Sequence, residues 1–471
     1  MERKKIALIG AGSLVFARTL INDMLSTPAL RGSEFVLMSP TPTKITSLRD
    51  YFRKIIADNK LPATINCTTD RREALDGADY VILMFQIGGM EGFKYDYEIP
   101  LKYGVDQCIG DSLGPGGVFR FLRTITELDS MVADIRELCP KAYILNYVNP
   151  MGMVCTYLGR YTDLRYAGLC HGVQTTMNLI ASYTGVPKDE IVFTTGGINH
   201  MAWFLQLEHN GRDLYPILRE NMEKPSYYVN EKVRGEVMRH CGYLMTESTG
   251  HLSEYLPWFR KNETERGLYC DQPAFGGESG AYYKFSQMLA DKYNRVEPLS
   301  IESGALEERS NEYCSYIIEA IETNRPFKFT GNVLNKGYVS NLPNDACVEV
   351  PVYADATGLN PVNVGRLPTH LAAMNQSNVS VQSIAAEAAH TGDLELAFWA
   401  IAMDPLTSGV LDLKTTRDMF IEMYQAEKKW MSKFEGSSIH KIEHIPIPAD
   451  TIPQDVPVDP ALAIDSRFGK L

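Results

Sequence analysis

The sequence predicts an α/β fold, in which a Rossmann-like, doubly wound parallel sheet is followed by a second domain of mixed α+β structure. Short apolar runs at 6–9, 34–38 and 80–85 alternate with amphipathic stretches, as buried parallel strands alternate with their connecting helices. The first run ends in a glycine turn, which is typical of dinucleotide-binding folds. At 471 residues the chain is longer than one hydrophobic core usually organises, so two domains are expected.

The domain boundaries follow from changes in this pattern. Strand and helix signals alternate through the first part of the chain, which we interpret as a nucleotide-binding domain over 1–195. Residues 196–445 are more mixed, and we expect them to form an α+β domain for substrate, metal and subunit contacts. Proline recurs too often near the C-terminus for a helix or a central strand, which predicts an extended tail over 446–471.

Composition and charge narrow the class of partner. The net charge of −12 and the scattered Lys and Arg residues argue against nucleic acid and acidic membrane surfaces, so we expect a small-molecule ligand. The nine cysteines are odd in number and widely spaced, which favours a reducing compartment over a disulfide framework. The sequence shows neither a signal peptide nor a membrane-spanning run, so a cytoplasmic protein is expected.

The first strand, turn and helix have the pattern of a dinucleotide site. Gly10 and Gly12 would let the backbone approach a pyrophosphate, and Ser13 precedes a helix whose N-terminus would stabilise the phosphate charge. The third glycine of the GxGxxG pattern is Val15 here, so an unrelated strand-turn-helix is the alternative. Gln86, directly after the strand at 80–85, is a further candidate for contact with the cofactor.

The residues after the second strand bear on the choice of cofactor. An acidic side chain is expected there to bind the ribose hydroxyls of NAD, but the chain has Ser39 and, further on, Lys44. Ser39 can hydrogen-bond a plain ribose, whereas hydroxyls together with Lys44 would accept the 2′-phosphate of NADP. We therefore expect NAD and keep NADP as an alternative.

Two polar side chains lie in regions where doubly wound folds bind ligands. Asp111 is surrounded by glycines over 110–117, which is typical of a binding loop; the alternative is a surface turn in which Asp111 caps a helix. Asn149 follows a further strand candidate at 142–147. Both are candidates for contact with substrate, since a carboxylate accepts hydrogen bonds and an amide both donates and accepts.

A cysteine and a histidine indicate a metal centre. Cys170 and His171 follow a short apolar run at 166–169, and His200 lies further along in the sequence Gly-Ile-Asn-His. A thiolate from Cys170 and an imidazole from His200 would provide half the ligands of a divalent ion, with substrate oxygens as the other half. The alternative is a buried apolar thiol with ordinary histidines.

The second part of the chain carries weaker signals. We expect strands over 202–207 and 345–353, a helix over 302–323 and one long helix over 380–403. Between them, residues 247–258 combine polar and aromatic side chains, a composition that suits a sugar pocket or, equally, a loop between domains.

Five motifs stand out together: GAGS at 10–13, DSLGPGG at 111–117, NP at 149–150, CHGVQ at 170–174 and GINHMAW at 197–203. In their order and spacing they resemble the NAD- and metal-dependent glycosidases of glycoside hydrolase family four. Within the family, the TES…H…EY…W segment at 246–258 looks most like the melibiase-type α-galactosidases. Gly172 stands where those enzymes usually have serine and resembles the α-glucuronidases and α-galacturonidases, which are the alternative. Phospho-sugar members usually lack the histidine after the cysteine, which disfavours a 6-phosphoglycoside.

The resemblance implies a redox-elimination mechanism for hydrolysis of an α-glycoside. NAD would take hydride from sugar C3, a base would remove the C2 proton, and a divalent metal such as Mn(II) would stabilise the enediolate. The aglycone would then leave C1, water would add, and hydride would return to C3. Family members commonly assemble as dimers or tetramers, so a homodimer or homotetramer is expected.

The resemblance also implies roles for individual residues. Cys170 and His200 would hold the metal, and His171 would protonate the leaving oxygen. Asp111 and Asn149 match positions near the substrate.

The base that removes the C2 proton is less well defined. Other branches of the family use a Tyr or Asp in the region corresponding roughly to 243–255, so Tyr243, His251 and Tyr255 are candidates. The alternative from another class is an NAD(P)-dependent 2-hydroxy acid dehydrogenase, which would explain the glycine turn but not the Cys170 and His200 pair.

Overall fold

The structure is a computed structural model that describes residues 3–12, 14–295, 305–454 and 456. Ser13, the candidate in the glycine turn, lies outside the described residues. The strands are β1 (Lys5–Ile9), β2 (Glu34–Met38), β3 (Thr64–Thr68), β4 (Tyr80–Leu83), β5 (Tyr143–Asn146), β6 (Arg165–Leu169), β7 (Val192–Ile198), β8 (Met201–His209), β9 (Arg212–Asp213), β10 (Phe327–Leu334), β11 (Cys347–Asp355) and β12 (Gly358–Pro361).

Helices connect and cover these strands. They are α1 (Leu14–Ser26), α2 (Pro42–Asp58), α3 (Arg71–Leu75), α4 (Gly89–Lys102), α5 (Gly114–Leu138), α6 (Met151–Tyr161), α7 (Gly172–Thr184), α8 (Tyr215–Met222), α9 (Pro225–Tyr228), α10 (Lys232–Cys241), α11 (Thr249–Tyr255), α12 (Glu263–Tyr269), α13 (Ala281–Arg295), α14 (Tyr313–Thr323), α15 (Thr369–Thr391), α16 (Leu394–Ala402), α17 (Pro405–Val410) and α18 (Leu413–Glu427). None of the described helices is both long and apolar enough to cross a membrane.

The described strands form one sheet in the order β3-β2-β1-β4-β5-β6-β10-β11-β7-β8-β9, with β12 paired to β11. The first six strands are parallel, and their order is that of the Rossmann fold. The predicted fold class is therefore confirmed. β4 is buried along its whole length and β1 nearly so, which explains their uninterrupted apolar sequences.

The second half of the sheet is antiparallel. β10 pairs with β6 and continues the parallel half without a break, and β11 then joins β10 to β7. β7 spans the predicted boundary between residues 195 and 196, and the division into domains stays a prediction. The sheet brings the turn between β7 and β8 close to the strand ends of the parallel half.

Two predicted helices are wrong in extent. The helix predicted over 302–323 begins only at Tyr313; residues 305–312 are irregular and hydrogen-bond to α1, while 302–304 lie outside the described part. The single helix predicted over 380–403 is two helices, α15 and α16. They are separated by Gly392, with a φ of 73°, and Asp393, whose carboxylate accepts hydrogen bonds from the first amides of α16.

Candidate functional site

One cleft, with a volume of about 1270 Å³, lies at the carboxyl edge of the parallel strands. Its lining includes Gly10 and Gly12 after β1, Ser39 after β2, Gln86 after β4, Asn149 after β5, and Cys170 and His171 after β6. Parallel strands end at the same edge of a sheet, so residues far apart in sequence meet there. Asp111, His200 and His251 line the same cleft from other elements.

The glycine turn forms a cradle at one end of the cleft. Gly10 has a φ of 94°, and a Cβ at this position would lie 2.7 Å from Phe85, so only glycine fits. The amides of Gly10 and Ala11 donate to the Met38 carbonyl, which ties the turn to β2. A Cβ on Gly12 would lie 3.1 Å from the Ser39 hydroxyl. The absence of side chains leaves backbone open to an anionic ligand near the start of α1.

A turn between two strands presents His200. Ile198 pairs with Met201 across β7 and β8, so Asn199 and His200 form a two-residue turn in which His200 has a φ of 62°. A left-handed conformation costs a non-glycine residue about 1 kcal/mol or more, a cost that is often found at functional sites. The Nδ1 atom of His200 lies 3.2 Å from the hydroxyl of Tyr255, to which it is hydrogen-bonded.

Three potential metal ligands converge in the cleft. The ligand atoms of Cys170, His200 and Glu247 all lie within 4.8 Å of one another, and no other such group of three His, Cys, Asp or Glu side chains occurs in the described residues. Cys170 Sγ is 3.9 Å and His200 Nε2 is 3.8 Å from Glu247 Oε2. Atoms that bind one ion at about 2.0–2.4 Å are separated by roughly 3–4 Å, so this spacing fits a divalent cation.

Burial adjusts the protonation of these three groups. It raises the pKa of the Cys170 thiol well above its usual value, so a cation is needed to stabilise the thiolate. Burial, together with the nearby His251, lowers the pKa of His200 to about 4, which leaves a neutral imidazole able to bind metal. Burial alone would raise the pKa of Glu247, but the imidazoles of His251 and His200 and the Ser248 amide lower it overall.

His171 directly follows Cys170 and is the N-cap residue of α7. Its side chain is 50% exposed, and its Nε2 atom hydrogen-bonds to a carboxylate oxygen of Glu312. The rings of Phe16 and Tyr147 flank the imidazole, with centroids 6.2 and 6.5 Å away. An imidazole that is held by a carboxylate and lines the cleft can donate a proton to a ligand bound beside it.

Asp111 and Asn149 are hydrogen-bonded to each other in the cleft wall. Asn149 Nδ2 donates to Asp111 Oδ2 at 2.9 Å, and the Ser112 hydroxyl donates to Oδ1 at 2.6 Å. Arg120 Nη1 is 3.8 Å from Oδ2. Burial would raise the pKa of Asp111, but the charge of Arg120 and the Ser112 hydrogen bond outweigh it and lower the pKa. Asp111 does not cap a helix, since α5 begins at Gly114 with Leu113 as its N-cap.

The three candidates for the C2 base lie in different surroundings. His251 lines the cleft; its ring centroid is 4.3 Å from that of His200, and its Nδ1 atom is 3.0 Å from the Ser248 hydroxyl. Tyr255 is only 2% exposed, and its hydroxyl contacts Nδ1 of His200. It is not among the described residues that line the cleft. Tyr243 packs against the rings of Tyr215 and His370 and is likewise not part of the described cleft lining.

The structure places several charged residues at the site that the sequence analysis did not assign to it. Glu312 is positioned by an irregular segment, and Glu349 lies in β11 opposite Gly197, where burial and the charge of Glu247 raise its pKa to about 8. Arg120 faces the cleft from the second turn of α5. Glu247 stood in the polar segment at 247–258, but no spacing in that segment distinguished it as a neighbour of Cys170.

Comparison with known proteins finds two family models that match most of the chain. The model described as Family 4 glycosyl hydrolase matches residues 5–186, and that described as Family 4 glycosyl hydrolase C-terminal domain matches 195–407. The α-galactosidase of Rhizobium meliloti (strain 1021) is 39% identical over 442 residues, which cover 92% of this chain and 90% of the relative. The α-galactosidase of Bacillus subtilis (strain 168) is 39% identical over 447 residues, which cover 92% and 100%.

A solved structure shares the fold. The 6-phospho-α-glucosidase from gut microorganisms in complex with NAD and Mn2+ has a TM-score of 0.76 and 20% identity to this chain, with 91% of this chain and 99% of the other covered. The residues matched by the family models and by the two relatives include most of both halves of the sheet. This chain belongs to the family 4 glycosyl hydrolases.

Proposed function

We propose that this protein hydrolyses terminal α-galactosides of the melibiose type, with NAD and Mn2+ as cofactors. One observation carries the proposal: the glycine cradle and the Cys170, His200 and Glu247 group open into a single cleft. A nucleotide and a metal in that cleft would meet around one substrate. The two α-galactosidases at 39% identity support the choice of sugar, and the NAD and Mn2+ of the structural neighbour support the cofactors.

The residues present fit both cofactors. Gly10 and Gly12 leave space that any Cβ would fill. Ser39 lines the cleft after β2, the position at which Rossmann folds bind the ribose hydroxyls of the cofactor. Cys170 and His200 offer a thiolate and a neutral imidazole, a donor set for a divalent ion. When bound, NAD supplies a hydride acceptor for sugar C3, and Mn2+ supplies a Lewis acid beside it.

The proton transfers in this proposal belong to two imidazoles that line the cleft. His171, held by Glu312, is positioned to donate a proton to the leaving oxygen at C1. His251 lines the cleft and is the best placed of the three candidates to remove the proton at C2. Tyr255 is a positioning residue in this proposal, since its hydroxyl fixes the ring of His200. Asp111, with Asn149 beside it, would accept hydrogen bonds from sugar hydroxyls.

An α-galacturonidase or α-glucuronidase is the second candidate, because Arg120 places a cation in the cleft that a sugar carboxylate would use. The galactoside is preferred, since Arg120 already lies 3.8 Å from the carboxylate of Asp111, which would repel a second carboxylate. A panel of nitrophenyl glycosides, assayed with NAD, Mn2+ and thiol, decides between them. We expect the α-galactoside to be cleaved best; preference for an α-uronide would support the second candidate.

The mechanism has its own test, because elimination requires a proton to leave C2 before the glycosidic bond breaks. Galactose released in D2O should therefore carry deuterium at C2, since a proton on an imidazole exchanges with solvent before it returns. Mass spectrometry and proton NMR of the product measure the label. Hydrolysis at full rate without label would contradict elimination, and net accumulation of NADH in proportion to substrate would indicate a dehydrogenase instead.

A further inference from the structure

Gly172 directly follows His171 at the start of α7, and its missing side chain leaves room for Glu247. A Cβ at this position would lie 2.3 Å from Oε2 of Glu247 and 2.7 Å from the Thr246 carbonyl. Carbon and oxygen atoms that are not bonded do not approach so closely. Gly172 is the first residue of α7 and has ordinary helical surroundings, so the glycine is needed for space rather than for a special backbone conformation.

The space at Gly172 is filled by a carboxylate that is held in one orientation. Oε1 of Glu247 accepts a hydrogen bond from the Ser248 amide at 3.0 Å and lies 3.6 Å from Nδ1 of His251. Oε2 is thereby turned toward Cys170 Sγ and His200 Nε2, at 3.9 and 3.8 Å. The side chain is 12% exposed, so little water reaches the carboxylate. A carboxylate that is so largely buried is stabilised by a cation beside it.

We infer that Glu247 is a third protein ligand of the metal and that Gly172 is the position that gives its carboxylate access to the site. This inference rests on the metal dependence in the proposed function. The thiolate of Cys170 and the carboxylate of Glu247 together neutralise a divalent ion, and His200 adds a neutral donor. The remaining coordination positions are left for sugar oxygens.

A third protein ligand changes the order in which the site assembles. Two ligands would bind Mn2+ weakly until a sugar supplied further oxygens, whereas three ligands on one side hold the ion before substrate arrives. The protein should therefore bind Mn2+ tightly in the absence of any sugar. Glu247 would act as a ligand rather than as the base for C2, because its free oxygen points between two other ligands.

The experiment measures Mn2+ binding to the NAD-loaded, sugar-free protein by electron paramagnetic resonance and calorimetry. Glu247→Gln keeps the shape of the side chain and removes its charge, and should weaken Mn2+ binding about 100-fold. Gly172→Ala should weaken it about tenfold by displacing the carboxylate. Gly267→Ala is the matched control, since a Cβ there meets nothing within 4 Å, and should bind Mn2+ like the wild type.

Cobalt substitution adds a readout that does not depend on activity. With Co2+ in place of Mn2+, the charge-transfer band of the Cys170 thiolate should persist in Glu247→Gln while the ligand-field bands change. A wild type that binds neither ion would overturn the proposed metal dependence itself. If Glu247→Gln bound Mn2+ as tightly as the wild type, only this inference would be overturned. If the same variant also lost deuterium exchange at C2, Glu247 would be the base instead. NAD binding and the unfolding temperature verify that each variant is folded.

Discussion

Single residues in the cleft owe their chemistry to burial as much as to residue type. The Cys170 thiol has a raised pKa because it is surrounded by protein and by carboxylates, so it becomes a thiolate only with a cation present. His200 is kept neutral by the same burial. The lowered pKa of His200 prepares that imidazole for a metal ion, whereas the raised pKa of Cys170 makes its thiolate depend on the ion. Neither effect is visible in the sequence.

Cys170→Ser should weaken Mn2+ binding about 100-fold or more, because a neutral hydroxyl replaces a thiolate. NAD affinity should stay near the wild-type value, since the glycine cradle lies at the other end of the cleft. Titration with Mn2+ followed by electron paramagnetic resonance, and NAD binding by calorimetry, measure the two effects separately. Unchanged Mn2+ affinity would remove Cys170 from the metal site.

Arg120 is a second residue whose role depends on its surroundings. It is 6% exposed, its guanidinium lies 5.3 Å from the centroid of Phe93, and its Nε and Nη1 atoms have no hydrogen-bond partner among the described residues. Desolvated donors without an acceptor are costly, which favours a hydroxyl oxygen of the substrate as their partner. Asp111 beside it balances the charge.

Arg120→Gln should lower kcat/KM on α-galactosides about 100-fold, as expected for the loss of charged hydrogen bonds of about 2–3 kcal/mol. Mn2+ and NAD affinities should not change. Arg417→Gln is the control, since Arg417 is as buried as Arg120 but is paired with Glu395 outside the cleft. An equal loss of activity in both variants would mean that Arg120 serves only stability.

The sequence predicts those site residues that follow directly from strand ends. Gly10, Asn149 and Cys170 each come after an apolar run whose edge position is fixed by the parallel sheet. Glu247 reaches the site because the chain just before it, at Met245, bridges to Trp203 of β8, and Glu349 because β11 pairs with β7. Both pairings are tertiary contacts that no local periodicity records.

At the scale of elements, an irregular segment completes the site. Residues 307–312 dock on α1: the Asn22 side chain exchanges hydrogen bonds with the backbone of Glu307, and Asp23 accepts one from the Ser310 amide. The segment then delivers Glu312 to His171. Its sequence favours a helix, and the hydrogen bonds to α1 override that local preference, which is why the predicted helix over 302–323 was too long.

Glu312→Gln should slow substrates with poor leaving groups more than activated ones, because the carboxylate supports the proton donor His171. We expect kcat/KM to fall about tenfold or more for alkyl α-galactosides and little for nitrophenyl α-galactosides. A series of leaving groups of graded pKa measures the difference. Glu307→Gln, in the same segment but paired with Arg18 at the surface, should behave like the wild type. A uniform loss across the series would argue against this role.

At the scale of the whole molecule, one sheet joins the cofactor half to the metal half. A parallel sheet in the first part of the chain was predictable from alternating apolar runs, whereas the pairing of β10 with β6 was not. An antiparallel extension depends on contacts between strands more than 150 residues apart, as in the pairing of Gly331 with Leu169. The continuous sheet explains why His200, from the second half, lies beside Cys170 from the first.

The stability of the whole molecule should depend on pH through Asp404, which lies outside the cleft. Asp404 is fully buried at the start of α17, where it accepts hydrogen bonds from the amide and the hydroxyl of Thr407. Burial raises its pKa to about 6. The folded protein therefore binds a proton more tightly than the unfolded chain, so this contribution to stability is complete below about pH 4 and is lost as the pH rises through 6.

Asp404→Asn should remove that loss, because the amide stays neutral and its oxygen can still accept from Thr407. Relative to the wild type, the free energy of unfolding of the variant should rise by about 2.5 kcal/mol between pH 4 and pH 7, as expected for a shift of about two pKa units. Urea unfolding at a series of pH values measures the difference. Asp393→Asn, the same change at the exposed N-cap of α16, is the matched control for the substitution. If the two variants followed the same pH dependence, the carboxyl of Asp404 would not be the group that titrates.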